Sequence, residues 1–202
     1  ECYETMKFDK AKYITSKNKV DVIISDERLL QLEMLFASYS DNQAIFNIFS
    51  NITEQLKQDY DYIIIDTEGS INNTVRGILN ATDYIVAPSK CSLIDTNGIN
   101  DLIKIYFIGK RNNPKLELKK VFFVQVEERT KVFADALKEF TDFFNSNGLG
   151  LNSNILSKNY VRKDSNINNA MLENLDIINY KKSSPSSTDY RNIANDLIKE
   201  LE

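Results

Sequence analysis

The chain has 202 residues, with 25 Lys and Arg against 29 Asp and Glu, so its formal net charge is −4. Hydrophobic residues make up 42% and charged residues 27%, which is typical of a globular domain. The chain has no histidine, which excludes imidazole catalysis and imidazole metal ligation, and its two cysteines are too few for a four-thiolate zinc site or a disulfide framework.

Short apolar segments alternate with longer amphipathic ones along the first half of the chain. Their periodicity predicts a strand at 20–24, helices over about 29–36 and 44–58, a strand at 60–66, a helix over 71–81 and a strand at 84–88. The three consecutive isoleucines at 63–65 suit a strand that is covered on both faces, as in the middle of a parallel sheet.

The alternation continues in the second half. It predicts a helix over 93–108 closed by Gly109, a strand at 121–126, a helix over 131–145, a short strand at 154–156, a helix over 167–172, a loop at 181–187 and a last helix over 190–201 capped by Ser187 or Thr188. Strands separated by helices imply right-handed crossover units. We therefore predict a single α/β domain over 1–202, with a three-layer, mostly parallel β-sheet flanked by helices.

The sequence also carries expectations about location. No apolar run approaches the roughly 20 residues that span a bilayer. The first residues lack the basic and then apolar pattern of an export signal, and there is no disulfide pattern. We expect no membrane insertion and a cytoplasmic location.

Asp66 is the first candidate functional residue. It ends the predicted strand at 60–66, and ligands of open parallel sheets bind beyond the carboxyl ends of the strands. A carboxylate held there can position a hydrated Mg²⁺ beside nucleotide phosphates, and Gly69 lets the backbone approach a phosphate. This is the pattern of a Walker B strand and its switch loop, although many strands also end in an Asp that caps a turn or helix.

Two segments carry a family resemblance. Residues 60–67 (YDYIIIDT) and 81–88 (ATDYIVAP) resemble the ParA/MinD family of partition-type P-loop ATPases, and the collinear similarity runs from about Val20 to the last helix. The resemblance implies a P-loop NTPase-like fold with ATP and Mg²⁺ as cofactors. It implies Asp66 as the catalytic and Mg²⁺-positioning residue, with Thr67, Gly69 and Ser70 as the nucleotide-sensing switch.

Other candidate residues follow from the same resemblance. Glu68 stands where the family usually has Pro, so it is either a catalytic carboxylate acting on water or a solvated loop acid. Ser157 and Asn159 fall near the loop that contacts the nucleotide base in relatives. The resemblance permits DNA contacts from three cations, although the net charge of −4 favours a solvated basic loop instead: Lys158, Arg162 and Lys163.

The family's phosphate loop, which ends in Gly-Lys-Thr, does not occur in these residues. Gly109-Lys110 is the only Gly-Lys pair, and its surroundings indicate a helix C-terminus. The chain thus resembles the C-terminal majority of such an ATPase, either separated from its first segment or descended from a relative that lost the ATP site. We expect it to be inactive in ATP hydrolysis by itself. We also expect the missing segment to leave an apolar strand edge uncovered, so that the chain aggregates, pairs with another chain or fills the gap differently.

Two functions of different classes follow. The first is a ParA-like partition ATPase of a plasmid, mobile element or chromosome, with ATP-dependent homodimerisation, nonspecific DNA binding and a ParB-like stimulating protein as its partner. The alternative is a non-catalytic interaction or regulatory module that kept the fold and lost nucleotide binding. A flavodoxin-like binding domain is a third, less supported possibility.

Overall fold

The computed structural model describes residues 8–17, 19–26, 31, 33–34, 36, 43–91, 96–146, 151 and 154–202. Within it the chain forms two compact units. The first unit comprises Glu1–Asp83 and Phe107–Leu116, and the second comprises Tyr84–Tyr106 and Glu117–Glu202. None of the helices in the described ranges is long and apolar enough to cross a membrane.

The bounded elements among the described residues of Glu1–Asp83 are α1 Lys10–Tyr13, β1 Ile14–Lys17, β2 Val20–Ile23, α2 Gln43–Leu56 and α3 Asn73–Asn80. The predicted strand at 20–24 is present as β2, but it pairs antiparallel with β1, with Ile14 opposite Ile23. Helices α2 and α3 agree with their predictions and pack against each other. Phe36 and Ile48 are the buried centre of a cluster that also includes Phe49 and Ile52.

The segment predicted as the strongest strand is not a strand in this structure. Residues 62–68 have no regular secondary structure and no pairing within the described chain. Ile64 is 92% exposed and Tyr62 is 53% exposed. The prediction is wrong here because a strand exists only where its backbone groups find a neighbouring strand, whatever its β-propensity. Most of the apolar side chains of this segment are exposed, but within the described chain the segment forms no strand edge, and aggregation or pairing with another chain stays a prediction.

The second unit is built on a parallel pair of strands, β3 Tyr84–Lys90 and β4 Glu117–Val124, whose register runs from Tyr84 opposite Glu117 to Lys90 opposite Val124. On the other side of β4, the Val121 amide donates to Ile155 O at 2.8 Å. The predicted strand at 154–156 is thus reduced to an isolated parallel bridge between Val121 and Leu156. Two parallel strands that are separated in the chain by a helix confirm the predicted α/β class.

The second unit also contains helices among its described residues. Their bounds, in chain order, are α4 Thr96–Asn112 (shared with the first unit), α5 Lys131–Ser146, α6 Ser165–Leu172, α7 Ile177–Tyr180 and α8 Pro185–Leu201. From β4, the Phe123 ring meets the rings of Phe133 and Phe140 on α5 at centroid distances of 6.1 and 4.7 Å. The apolar spacing of this helix predicts an inward face made of Phe133, Leu137, Phe140 and Phe144. The three phenylalanines are buried, as predicted, whereas Leu137 is 39% exposed.

The cap of α8 differs from the prediction. Ser184 is the N-cap residue, and its side chain accepts from the Ser187 amide at 3.1 Å. Pro185 occupies the first turn, where its missing N–H costs nothing. Ser187 is wrong as the cap because it lies inside the helix and is fully buried, and Thr188 follows it in the helix.

Gly109 does not close α4, which continues to Asn112. A Cβ at Gly109 would lie 2.6 Å from Leu116 Cδ2 and 3.2 Å from Leu79 Cβ. Leu116 is 0% exposed and Leu79 is 6% exposed, so neither can move aside. The glycine is therefore a packing requirement of the helix interior, where the helix approaches its neighbours closely.

Gly109→Ala is expected to destabilise the protein by about 1–2 kcal/mol, because overpacking outweighs the gain of about 1 kcal/mol that alanine has over glycine within a helix. Urea denaturation followed by circular dichroism measures this, since the chain has no tryptophan. The exposed Arg111 provides a control on the same helix, and Arg111→Ala is expected to change stability by less than about 0.5 kcal/mol. A more stable Gly109→Ala variant would contradict the overpacking argument.

Candidate functional site

The loop at 66–70 belongs to the first unit and is open to solvent throughout. Within the described ranges, the Asp66 carboxylate has no hydrogen-bond or ion-pair partner. Ser70 Oγ donates to Glu68 Oε2 at 3.2 Å, and no atom lies within 4 Å of the position that a Cβ at Gly69 would take. The loop is thus accessible to a ligand, with the Asp66 carboxylate unpartnered among the described residues and the Ser70 hydroxyl bonded only within the loop.

The loop ends where α3 begins, and this junction is capped twice. Asn72 Oδ1 accepts from the Val75 amide at 2.8 Å. Glu33, from a helical segment far away in sequence, accepts from the Asn73 amide at 3.0 Å and from the Thr74 amide and hydroxyl at 2.9 Å each. Burial opposes the ionisation of Glu33, but these hydrogen bonds outweigh it and hold the pKa of Glu33 below its usual value.

The oxygen donors of the loop suit magnesium. Mg²⁺ prefers hard oxygen ligands, keeps several waters, and is usually held by one or two carboxylates together with substrate phosphates. The loop offers two carboxylates, from Asp66 and Glu68, and the exposed hydroxyls of Thr67 and Ser70. In the part of the chain that the structure describes, no group of three or more His, Cys, Asp or Glu could hold a metal ion by itself. These residues therefore fit a cation that is also bound to a ligand's phosphates.

The basic segment at 157–163 lies in the second unit, along the edge of β4. Ser157 is buried, its amide donates to Val121 O at 2.8 Å, and its hydroxyl accepts from the Asn159 amide at 3.1 Å. Asn159 Nδ2 donates to Asp196 on α8. Ser157 and Lys158 also line a cleft beside α5, together with Phe123, Leu137, Thr141, Phe144, Asn145, Leu156 and Tyr160. The polar groups of Ser157 and Asn159 are thus used within the fold.

Two of the three predicted DNA-contact cations are engaged in ion pairs. Arg162 Nε and Nη2 donate to the two oxygens of Asp189 at 2.9 and 2.8 Å, and this raises the pKa of Arg162. Lys163 pairs with Glu127 on the surface. Lys158 is exposed and has no such partner among the described residues, so it is the cation most available to a polyanion.

Sequence reasoning missed the acids that hold this segment in place. Asp164 caps α6 by accepting from the Asn166 amide at 2.9 Å, and it also accepts from Ser186 Oγ at 2.8 Å. Burial opposes the charge, yet these hydrogen bonds lower the pKa of Asp164 to about 2. The Asp before Ser165–Leu172 was a readable N-cap signal. Nothing local indicated that Asp189 would pair with Arg162.

The fold is shared with solved structures of the P-loop NTPase-like class. Cobyrinic acid a,c-diamide synthase from Mycobacterium smegmatis, solved with bound ADP and magnesium, superimposes with a TM-score of 0.75 at 15% identity, over 99% of this chain and 71% of that chain. A plasmid partition protein from Borrelia burgdorferi superimposes with a TM-score of 0.57 at 19% identity, over 86% and 64%. At these identities the likeness shows the fold alone, and it confirms the predicted fold class.

A family model described as an AAA domain matches residues 3–118, more than half of the chain. The chain therefore belongs to this AAA domain family, and its relatives confirm the ParA/MinD-like resemblance. The sporulation initiation inhibitor protein Soj from Bacillus subtilis is 29% identical over 92 residues, 45% of this chain and 36% of Soj. An uncharacterized protein from Methanocaldococcus jannaschii is 29% identical over 134 residues, 65% of this chain and 50% of that protein. The chain thus spans half or less of these relatives.

Proposed function

We propose that these residues are part of a ParA-like partition ATPase, which dimerises when it binds ATP, then binds nonspecific DNA, and is released when a ParB-like partner stimulates hydrolysis. Membership of the family supports the proposal, because the matched residues 3–118 include the whole loop at 66–70. The proposal of a role in partition comes from a relative named as the chromosome-partitioning ATPase Soj of Treponema pallidum and from the structural neighbour named as a plasmid partition protein.

The observation that carries the nucleotide part is the free Asp66 carboxylate in an open loop. In the proposed reaction Asp66 would hold the cation, Thr67 and Ser70 would offer hydroxyls to it or to the phosphates, and Gly69 would let backbone amides approach a terminal phosphate. Glu68, exposed beside them, is the candidate to orient the attacking water. Magnesium, when bound, would neutralise charge that develops on the phosphate oxygens.

For the second unit we propose contacts with the nucleotide base and with DNA. Ser157 and Asn159 would act through the backbone they hold in place, since their side chains are already hydrogen-bonded. Lys158 is the first candidate for a phosphate contact, with Lys163 second because its exposed pair with Glu127 is weak and easily exchanged.

One observation favours the alternative, a non-catalytic interaction or regulatory module. Gly109-Lys110 lies inside α4, and Lys110 Nζ donates to Leu116 O at 2.7 Å, so this pair is not a phosphate loop. Among the described residues, the loop at 66–70 is therefore not accompanied by a glycine-rich loop whose backbone amides could bind the phosphates.

Asp66→Ala is expected to lower ATP turnover by about 100-fold or more, because a positioned cation is worth several kcal/mol of transition-state stabilisation. Turnover is measured with Mg²⁺-ATP on the protein expressed from its complete reading frame. Asp61→Ala is the matched control, an exposed acid five residues earlier with no partner in the described chain, and it is expected to leave turnover unchanged.

Three outcomes of the turnover measurement bear on different parts of the proposal. Equal turnover in the wild type and Asp66→Ala removes Asp66 from the reaction. No turnover by a folded complete protein favours the non-catalytic module. The 202-residue chain alone is expected to show no turnover, and turnover by it that Asp66→Ala abolishes would contradict that expectation.

A further inference from the structure

We propose that Glu33 is a positioning residue for the loop at 66–70, because its carboxylate fixes the junction at which that loop enters α3. The expected effect of Glu33 on the magnesium requirement rests on the proposed function, whereas its expected effect on the position of the loop does not.

Both carboxylate oxygens of Glu33 accept hydrogen bonds from the first residues of α3. Oε1 accepts from the Asn73 amide at 3.0 Å, and Oε2 accepts from the Thr74 amide and hydroxyl at 2.9 Å each. Hydrogen bonds to an ionised acceptor are stronger than neutral ones, and a negative charge at a helix N-terminus is favoured by the helix dipole. One side chain thus satisfies two of the amides that a helix start leaves without partners.

Glu33 is itself held by a packed helical segment. Residues 33, 34 and 36 are helical, and Phe36 lies one turn beyond Glu33. Phe36 is 1% exposed and packs in the cluster with Ile48, Phe49 and Ile52 of α2. The segment that carries Glu33 is therefore packed against α2, and the hydrogen bonds of the Glu33 carboxylate connect this segment to the start of α3.

The opposite end of the loop has no comparable support. Residues 62–71 make no backbone hydrogen bond within the described chain, and Ile64 before the loop is 92% exposed. At the α3 end, the remaining local cap is Asn72, which satisfies only the Val75 amide. Among the described residues, Glu33 is a hydrogen-bond partner of the α3 start that comes from outside the loop and the helix. The proposal is that this contact fixes the α3 end of the loop and thereby restricts the positions open to Asp66.

Amide exchange and chemical shifts measured by NMR on the protein from its complete reading frame test the effect of Glu33 on the position of the loop. In Glu33→Ala, the Asn73 and Thr74 amides are expected to exchange at least about 10-fold faster, and the Gly69 amide resonance is expected to shift. Glu33→Gln keeps one acceptor oxygen, so it is expected to fall between Ala and wild type. Glu54→Gln is the control, since the exposed Glu54 on α2 contacts only Lys57 among the described residues.

Turnover supplies the second readout. The Mg²⁺ concentration for half-maximal turnover is expected to rise about 10-fold in Glu33→Ala and less in Glu33→Gln, at temperatures where all variants are folded. Faster exchange at Thr74 with an unchanged Gly69 resonance and an unchanged Mg²⁺ requirement would make Glu33 a structural cap only and overturn the proposal. Unchanged exchange at Asn73 and Thr74 would also overturn it. If the wild type shows no turnover, the proposed function fails, and the Gly69 resonance alone decides the role of Glu33.

Discussion

Replacing Arg162 with alanine is expected to destabilise the protein by about 2–4 kcal/mol, less than for a fully buried pair because the arginine is partly solvated. The Asp189 side chain is 10% exposed and the Arg162 side chain 35% exposed. Without the guanidinium, the carboxylate keeps a hydrogen bond from the Arg162 backbone amide but loses both charged donors. Urea denaturation followed by circular dichroism measures the loss.

Lys158→Ala separates this structural role from DNA contact. Lys158 is exposed and without an ion-pair partner in the described chain, so its removal is expected to leave stability unchanged. If it contacts a phosphate, DNA affinity falls uniformly across sequences and the salt slope of binding falls by about 1. Full stability of Arg162→Ala would show that the pair with Asp189 contributes little, and would return Arg162 to the candidate DNA contacts.

Phe123→Ala is expected to cost about 3–5 kcal/mol, the largest loss among these predictions, because it removes the buried ring at the centre of the second unit. Phe123 is 1% exposed on β4, and its ring meets those of Phe133 and Phe140 edge-on or tilted. Aromatic pairs of this geometry add to the burial itself. The measurement is again the free energy of unfolding in urea, with the m-value checked for a change in cooperativity.

Leu137→Ala is the matched control for that prediction. Leu137 lies on α5, the helix that carries Phe133 and Phe140, but it is 39% exposed at the edge of the cleft. Its truncation is expected to cost about 1 kcal/mol or less, since most of the removed surface is already in water. Equal losses for the two variants would contradict the placement of Phe123 at the core.

The elements with strong periodicity were predictable from the sequence. Helices α2, α3 and α5 and strand β3 appear close to their predicted ranges, since each buries a regular stripe of apolar side chains or pairs with a neighbour in the same unit. The family was also readable, because it rests on the contiguous segments 60–67 and 81–88. Helix periodicity and contiguous motifs depend on neighbouring residues, so both can be identified from the sequence alone.

Pairing was not predictable in the same way. The isoleucines at 63–65 predicted a buried strand, yet Ile64 is 92% exposed. The apolar residues of β2 predicted a strand correctly, yet that strand pairs antiparallel with β1. An apolar run encodes its own conformational preference, whereas its partner strand must come from elsewhere, and a strand without a partner has no ladder.

By itself the sequence determined the helix periodicity, the family and the loop that carries Asp66, because each is written in neighbouring residues. Only the tertiary structure decided what the polar side chains do. It made Gly109 a packing contact, paired Arg162 with Asp189, and brought Glu33 to Thr74 across 41 positions of the chain. A hydrogen bond or ion pair depends on two atoms meeting within about 3 Å. The sequence around either partner does not indicate the other, because only the folded backbone brings the two side chains together.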